Sequence, residues 1–165
     1  AAQKTDPLAK RLATIPGVGA ITASAIAASC QRHASGVTPE VDNFRSARDY
    51  AAWLGLTPQP HSSGGKERLG RISKAGNRYL RRLLYLGASC QRHASGVTAQ
   101  IAARRCGRPG NDWRSPLCLH QWRKMARRML EKKPVKVVAV ALANRMARVV
   151  WAPIGTGECY RANPA

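Results

Sequence analysis

With 165 residues the chain has room for one domain that buries about two thirds of its unfolded surface. Its 28 Lys and Arg against 8 Asp and Glu leave a net charge of +20 on 17.9 kDa, which calls for a polyanionic partner, a nucleic-acid backbone before any other. The eight acids, Asp6, Glu40, Asp42, Asp49, Glu67, Asp112, Glu131 and Glu158, form no carboxylate cluster at metal-ligand spacing, so a self-contained two-metal nuclease is not expected.

Five cysteines, an odd number, argue for reduced thiols over a disulfide framework. No apolar run approaches the ~20 residues of a membrane span, and residues 1–10 lack a signal-peptide core. The expected setting is therefore cytoplasmic, off the membrane and associated with the nucleoid.

Thr5-Asp6-Pro7 reads as a helix start, with Asp6 as N-cap and Pro7 at the first helical position, where a missing N–H does no harm. Leu8, Leu12 and Ile15 then face inward. Ile15-Pro16-Gly17-Val18-Gly19 follows, and after it a second helix of small and branched residues. This is the pattern of a helix-hairpin-helix over about residues 8–28. Gly17 and Gly19 let the turn lie against a sugar-phosphate backbone, while the free N–H groups opening the second helix bind a phosphate oxygen. A glycine-rich corner that only packs two helices together has the same letters.

Residues 28–38, ASCQRHASGVT, recur letter for letter at 88–98. An isolated identical copy is not a solenoid, whose repeats are contiguous, degenerate and ~20 to 50 residues long. Each copy holds Cys-x-x-His (Cys30 with His33, Cys90 with His93), a pairing that suits zinc, but the duplication by itself accounts for the match and no metal site is expected. Segments 28–38 and 88–127 read as irregular and insert-like, and Cys118 and His120 within them as incidental. Residues 43–56 read as an amphipathic helix with Phe44, Ala47, Ala51 and Leu54 on its inward stripe.

The chain is organised around residues 61–84, HSSGGKERLGRISKAGNRYLRRLL, which carry seven Lys or Arg against one acid. Ser62-Ser63-Gly64-Gly65 puts a hydroxyl on backbone free to adopt positive φ, with Lys66, Arg68, Arg71 and Lys74 crowded behind it, as a phosphate site would be built. From there Asn77, Arg78, Arg81 and Arg82 alternate with Tyr79, Leu80, Leu83 and Leu84 at helical spacing, so a basic loop feeds an arginine-rich helix. Ser63 is the candidate catalytic residue. Gly17, Gly19, Lys66, Arg68, Arg71, Lys74, Asn77, Arg78, Arg81 and Arg82 are the candidate nucleic-acid contacts.

Residues 107–112 form a turn-rich linker. Pro134 then opens a last helix, 135–152, in which Val137, Val138, Ala141, Leu142, Met146, Val149 and Val150 point to core, relieved by Lys136, Arg145 and Arg148. Apolar on so many sides, it should be buried between other helices as a central post, with Met146 and Trp151 as packing, while Pro153 sits where the helix would be expected to continue. The fold expected is all-α: a single domain over 1–165 with a helix-hairpin-helix, a basic Gly/Ser loop and a buried C-terminal helix.

Three collinear strings carry a resemblance to a known family: IPGVGAITASAIAAS, FRSARDYAAWLGLTPQPHSSGGKERLGRISKAGNRYLRRLL and KPVKVVAVALANRMARVVWA. They are similar to the C-terminal domain of IS110/IS1111-type insertion-sequence transposases, also labelled IS116/IS110/IS902. Leu-Gly-Leu-Thr-Pro ahead of Ser-Ser-Gly-Gly, and Gly-Asn-x-x-Leu-Arg behind it, are its specific features.

The resemblance implies a DNA recombinase with an N-terminal RuvC-like domain, whose acids bind Mg2+, and a C-terminal domain whose serine becomes joined covalently to DNA. By its place before the glycine that serine corresponds to Ser63. DNA as partner, a structured guide RNA and a homo-oligomeric full-length protein are implied with it. The chain begins just before the hairpin, so the acidic domain and its Mg2+ are expected outside it, with no cofactor of its own. The alternative is a non-catalytic nucleic-acid-binding module, a decayed or artificial fragment in which Ser63 only donates a hydrogen bond.

Overall fold

The computed structural model describes residues 6–31, 44–66, 68–93 and 116–157, which hold six helices and one small, exposed hairpin. In chain order these are α1 (Pro7–Leu12), α2 (Ala20–Gln31), α3 (Ala47–Trp53), β1 (Pro58–Pro60), β2 (Leu69–Ile72), α4 (Arg78–His93), α5 (Pro116–Leu130) and α6 (Val135–Thr156).

The first helix starts as its letters dictate. Asp6 is extended (φ −82°, ψ 115°), and its carboxylate accepts the Leu8 N–H at 2.9 Å, satisfying one of the donors a helix start leaves open. Leu12 and Ile15 are fully buried, the latter from the turn at 13–19 and not from the helix. Arg11 anchors α1 across the molecule by donating to the Gly157 carbonyl at 2.5 Å, where Gly157 (φ 72°) ends α6 in the left-handed conformation.

The expectation for α3 is corrected in extent. The helix begins at Ala47, four residues later than the periodicity suggests, because Ser46 caps it: its hydroxyl accepts the Asp49 N–H at 3.4 Å and donates to the Asp49 carboxylate at 2.9 Å. Phe44 still packs inward, from outside the helix, edge-on to the Tyr50 ring at 5.5 Å between centroids.

Three further expectations are corrected. The chain is mostly helical but not all-α, since β1 and β2 pair antiparallel, Pro58 opposite Ile72 and Pro60 opposite Leu69. The segments read as irregular are helical wherever they are described: 28–31 close α2, 88–93 close α4, and 116–127 belong to α5, with Trp122 and Ala126 buried. Within the copied segments Ser29 donates to the Ala25 carbonyl and Ser89 to that of Tyr85, the same fourth-residue contact in both. Residues 32–43 and 94–115, the linker at 107–112 among them, lie outside the described residues. Pro153 does not stop α6 at 152. The helix continues to Thr156 with the proline ring buried, because the lost hydrogen bond falls in the final turn, where little helix remains to disrupt.

α6 is the post the sequence suggests, packed against α4, α3, α1 and α5. Its inward stripe, Val138, Ala139, Leu142, Ala143, Met146, Ala147 and Val150, recurs at helical spacing and is fully buried. By length and composition α6 could cross a bilayer, but the four helices covering this stripe account for its apolarity. The other face is open: Val137, expected in the core, is 48% exposed.

Candidate functional site

Ser63 sits at the tip of the hairpin. Gly64 and Gly65 have φ of 57° and 76°, the pair of left-handed residues that a type I′ turn requires. The Lys66 N–H donates to the Ser63 carbonyl at 3.1 Å and closes that turn, with Ser63 bridged to Lys66 and the His61 N–H bonded to the Arg68 carbonyl at 2.8 Å. The two adjacent serines separate here. The Ser62 hydroxyl accepts the Arg68 N–H at 3.2 Å, across the hairpin, whereas the Ser63 hydroxyl has no partner among the described residues. Lys66, Arg68 and Arg71 are exposed along the same hairpin. The His61 imidazole lies against Gly70, in the space a Cβ there would need, though that exposed ring can turn aside.

The base of the hairpin is held by backbone. Ser73 N–H donates to the Thr57 carbonyl at 3.0 Å and Lys74 N–H to that of Gly55 at 3.2 Å. Gly55 (φ 72°) and Gly76 (φ 72°) bring the two segments so close that a Cβ on either would strike opposing backbone, Ala75 in one case and Trp53 in the other. Lys74 itself has φ 55°, the one non-glycine residue with positive φ among those described. Such a residue costs of order 1 kcal/mol and persists only where its surroundings over-determine it.

Two of the predicted contacts are committed to the fold. The Asn77 side-chain oxygen accepts the Tyr79 and Leu80 N–H groups at 2.9 and 3.3 Å, so Asn77 caps α4. Arg81 Nη1 donates to the carbonyls of Leu54 and Ala75 at 3.0 and 2.7 Å, tying the end of α3 to the loop before α4. Arg78 and Arg82 are exposed on α4.

The two glycines of the first turn differ. Gly17 has φ 85°, and its carbonyl lies where a Cβ on Gly87 of α4 would sit, so this side of the turn packs inward. Gly19 has no positive φ, and a Cβ built on it meets nothing within 4 Å. Gly19, Ala20 and Ile21 are exposed, Ile21 to 68%, leaving the opening N–H groups of α2 accessible.

An open groove of about 1060 Å3 runs between the hairpin base and α6. Of the predicted contacts it gathers Arg71 and Lys74, and it adds Arg48, Lys133, Lys136 and Arg148, with no acidic side chain among the described residues on its walls. Sequence reasoning passed over these four. In sequence Lys136 and Arg148 are only the polar relief of an apolar helix, and Arg48 belongs to a helix whose signal is its core stripe. Lys66, Arg68, Arg78, Arg82, Gly17 and Gly19 do not line the groove.

Among the described residues no three His, Cys, Asp or Glu come together. The side chains of His33, His93, Cys118 and His120 lie outside the described residues. Burial pushes the Cys30 thiol up from 9.0 to about 11. The same burial, aided by Cys30, raises Tyr50 as well.

Comparison with known proteins places these features. The Transposase IS116/IS110/IS902 family matches residues 9–103. The chain is 41% identical over 156 residues to a Pseudomonas aeruginosa protein named "Probable family 20 transposase", covering 94% of this chain and 38% of that protein. It is 36% identical over 155 residues to the transposase for insertion sequence element IS1328 of Yersinia enterocolitica, covering 94% and 38%. It is 33% identical over 162 residues to the transposase for insertion sequence element IS1111A of Coxiella burnetii, covering 98% and 36%. The chain thus spans less than two fifths of the length of each of these relatives.

Proposed function

The chain belongs to the IS116/IS110/IS902 family of transposases, and on that footing we propose that it is the DNA-binding, serine-bearing part of such an enzyme, acting in DNA transposition. The observation that carries this reading is the contrast between the two serines: Ser62 is engaged by the Arg68 N–H, while Ser63 heads a two-glycine turn with its hydroxyl unpartnered among the described residues. A nucleophile needs a hydroxyl free to swing in line with phosphorus, and Ser63 has that freedom.

In the proposed reaction the Ser63 Oγ forms a bond to phosphorus as one P–O ester bond of the DNA breaks. The displaced strand end leaves as a hydroxyl and, in the net, takes up the serine proton. A free hydroxyl end later reverses the step and restores the serine. Lys66, Arg68 and Arg71 spread positive charge along the hairpin, where the phosphorane-like oxygens gain negative charge.

The turn at 13–19 and its flanking helices are read as a helix-hairpin-helix, with Gly19 and the exposed start of α2 toward a phosphate. Its inward face, held through Gly17 on α4, would fix that element relative to the basic helix. A structured guide RNA and a homo-oligomer remain part of the same family-based reading.

Covalent capture tests the proposal. With the chain joined to the family's acidic domain, labelled duplex DNA should give a protein-linked band on a denaturing gel. Ser63→Ala should abolish that band while leaving binding nearly intact, and Ser62→Ala should do far less, since losing a nucleophile costs orders of magnitude in rate. A band that survives Ser63→Ala would put the nucleophile elsewhere. No band from any variant, with log K still falling against log salt at a slope of about −5 to −7 for five to eight neutralised phosphates, would leave a binding module without chemistry.

A further inference from the structure

The open face of α6 is the second apolar stripe of a helix that already has one. Val137, Val140, Ala141 and Asn144 follow one another at helical spacing and face the groove, while Val138, Leu142, Met146 and Val150 face the core. At about 100° per residue, Lys136 falls on one flank of the open stripe, while Arg148 continues its line one turn beyond Asn144. Leu56, Pro58, Leu69 and Ile72 complete an aliphatic floor, Leu69 being 73% exposed, and Arg48, Arg71, Lys74 and Lys133 complete a wholly cationic rim. A helix apolar on two faces is ordinarily covered on both.

From this we propose that the groove is the docking site of a partner protein's amphipathic helix, apolar along one stripe and flanked by Asp and Glu. The proposal is separate from the serine chemistry, although Arg71 and Lys74 of the basic hairpin segment also border the groove. Charge complementarity selects the occupant: among the described residues, six cations and no acid line the walls. A phosphate backbone would match the rim but not the floor, which is largely aliphatic and has no aromatic ring among the described residues on which a base could stack. A second copy through the same face would set cations against cations. Between Lys136 and Arg148 the groove runs ~18 Å, the length of about three helical turns. Recognition of this kind lays the partner's anchors, spaced i, i+3, i+4 and i+7, into the groove, with charge fixing orientation.

The probe is a fluorescein-labelled 14-residue peptide with Leu at i, i+3, i+7 and i+10 and Glu at the flanking positions. Its binding to the 165-residue chain is followed by anisotropy at rising salt. Micromolar binding is expected, weakened at least tenfold by either Val137→Glu or Lys136→Glu. A peptide with every Glu replaced by Lys should not bind. Circular dichroism of the two variants, both changed at exposed positions, should match the parent. Overturning results are an absence of binding by the acidic peptide, equal binding of the Lys peptide, or peptide binding unchanged by both substitutions. Displacement of the peptide by a 20-base-pair duplex, together with loss of duplex binding in Val137→Glu, would assign the face to nucleic acid and also overturn the proposal.

Discussion

The carbonyl oxygen of Gly17 lies where a Cβ on Gly87 would have to sit, so the glycine turn and the basic helix α4 meet backbone to backbone. The Met146 sulfur of the central post lies 3.5 Å from the same point, in ordinary van der Waals contact with it. Gly87→Ala should therefore push the turn off α4 and destabilise the protein by about 1–3 kcal/mol. Thermal unfolding of the variant checks this, and an unchanged melting temperature would mean that the turn moves freely.

Gly19→Val separates the two meanings of the first turn. Gly19 has no positive φ and open space around it, so the substitution should leave helix content and stability nearly unchanged. If the turn approaches a phosphate, the added side chain blocks that approach and DNA affinity should fall severalfold in a filter-binding or anisotropy titration. Undiminished binding would make the turn a packing corner only.

Lys74 combines a strained backbone with a charge on the groove. Lys74→Gly relieves the strain while adding freedom to the unfolded chain, and the two effects offset to within about 1 kcal/mol. The same change deletes a cation. DNA binding should weaken and its salt slope should shrink by about one, with chemical denaturation almost unaffected.

Neighbouring arginines on α4 should behave oppositely. Arg81→Gln releases the Leu54 and Ala75 carbonyls and should cost about 1–3 kcal/mol of stability. Arg82→Gln, at an exposed position, should stay within about 0.5 kcal/mol of the parent yet reduce DNA affinity. Urea denaturation alongside binding separates the two.

Cys30 gives a pH dependence with a defined sign. Its thiol is raised from 9.0 to about 11 in the folded state, so folding favours the neutral form. The stability this contributes is complete below pH 9.0 and is lost as pH rises toward 11, a loss of about 2 kcal/mol by pH 10.5. Tyr50, also raised, adds to the same alkaline fall. Cys30→Ala should reduce the fall in stability between pH 8.5 and 10.5, measured by urea denaturation.

Local chemistry wrote much of this protein directly into its letters. Asp6-Pro7 caps and opens α1, Asn77 heads the helix the arginine spacing suggests, and residues 138, 142, 146 and 150 mark the buried stripe of α6, because caps and periodicity act over one to four residues. The Ser-Ser-Gly-Gly run likewise announced a tight, positively charged turn, and the similarity of its flanks to the IS116/IS110/IS902 family was legible in the letters alone. Tertiary structure decided what depends on distant neighbours. Arg81 resembles Arg78 and Arg82 in sequence, yet only the fold brings the Leu54 and Ala75 carbonyls to its guanidinium. Gly17 and Gly19 look equivalent until α4 packs against one of them. The groove joins Arg48, Arg71, Lys74, Lys133, Lys136 and Arg148 from four stretches of chain, and no periodicity within any one stretch could reveal that they line a common wall.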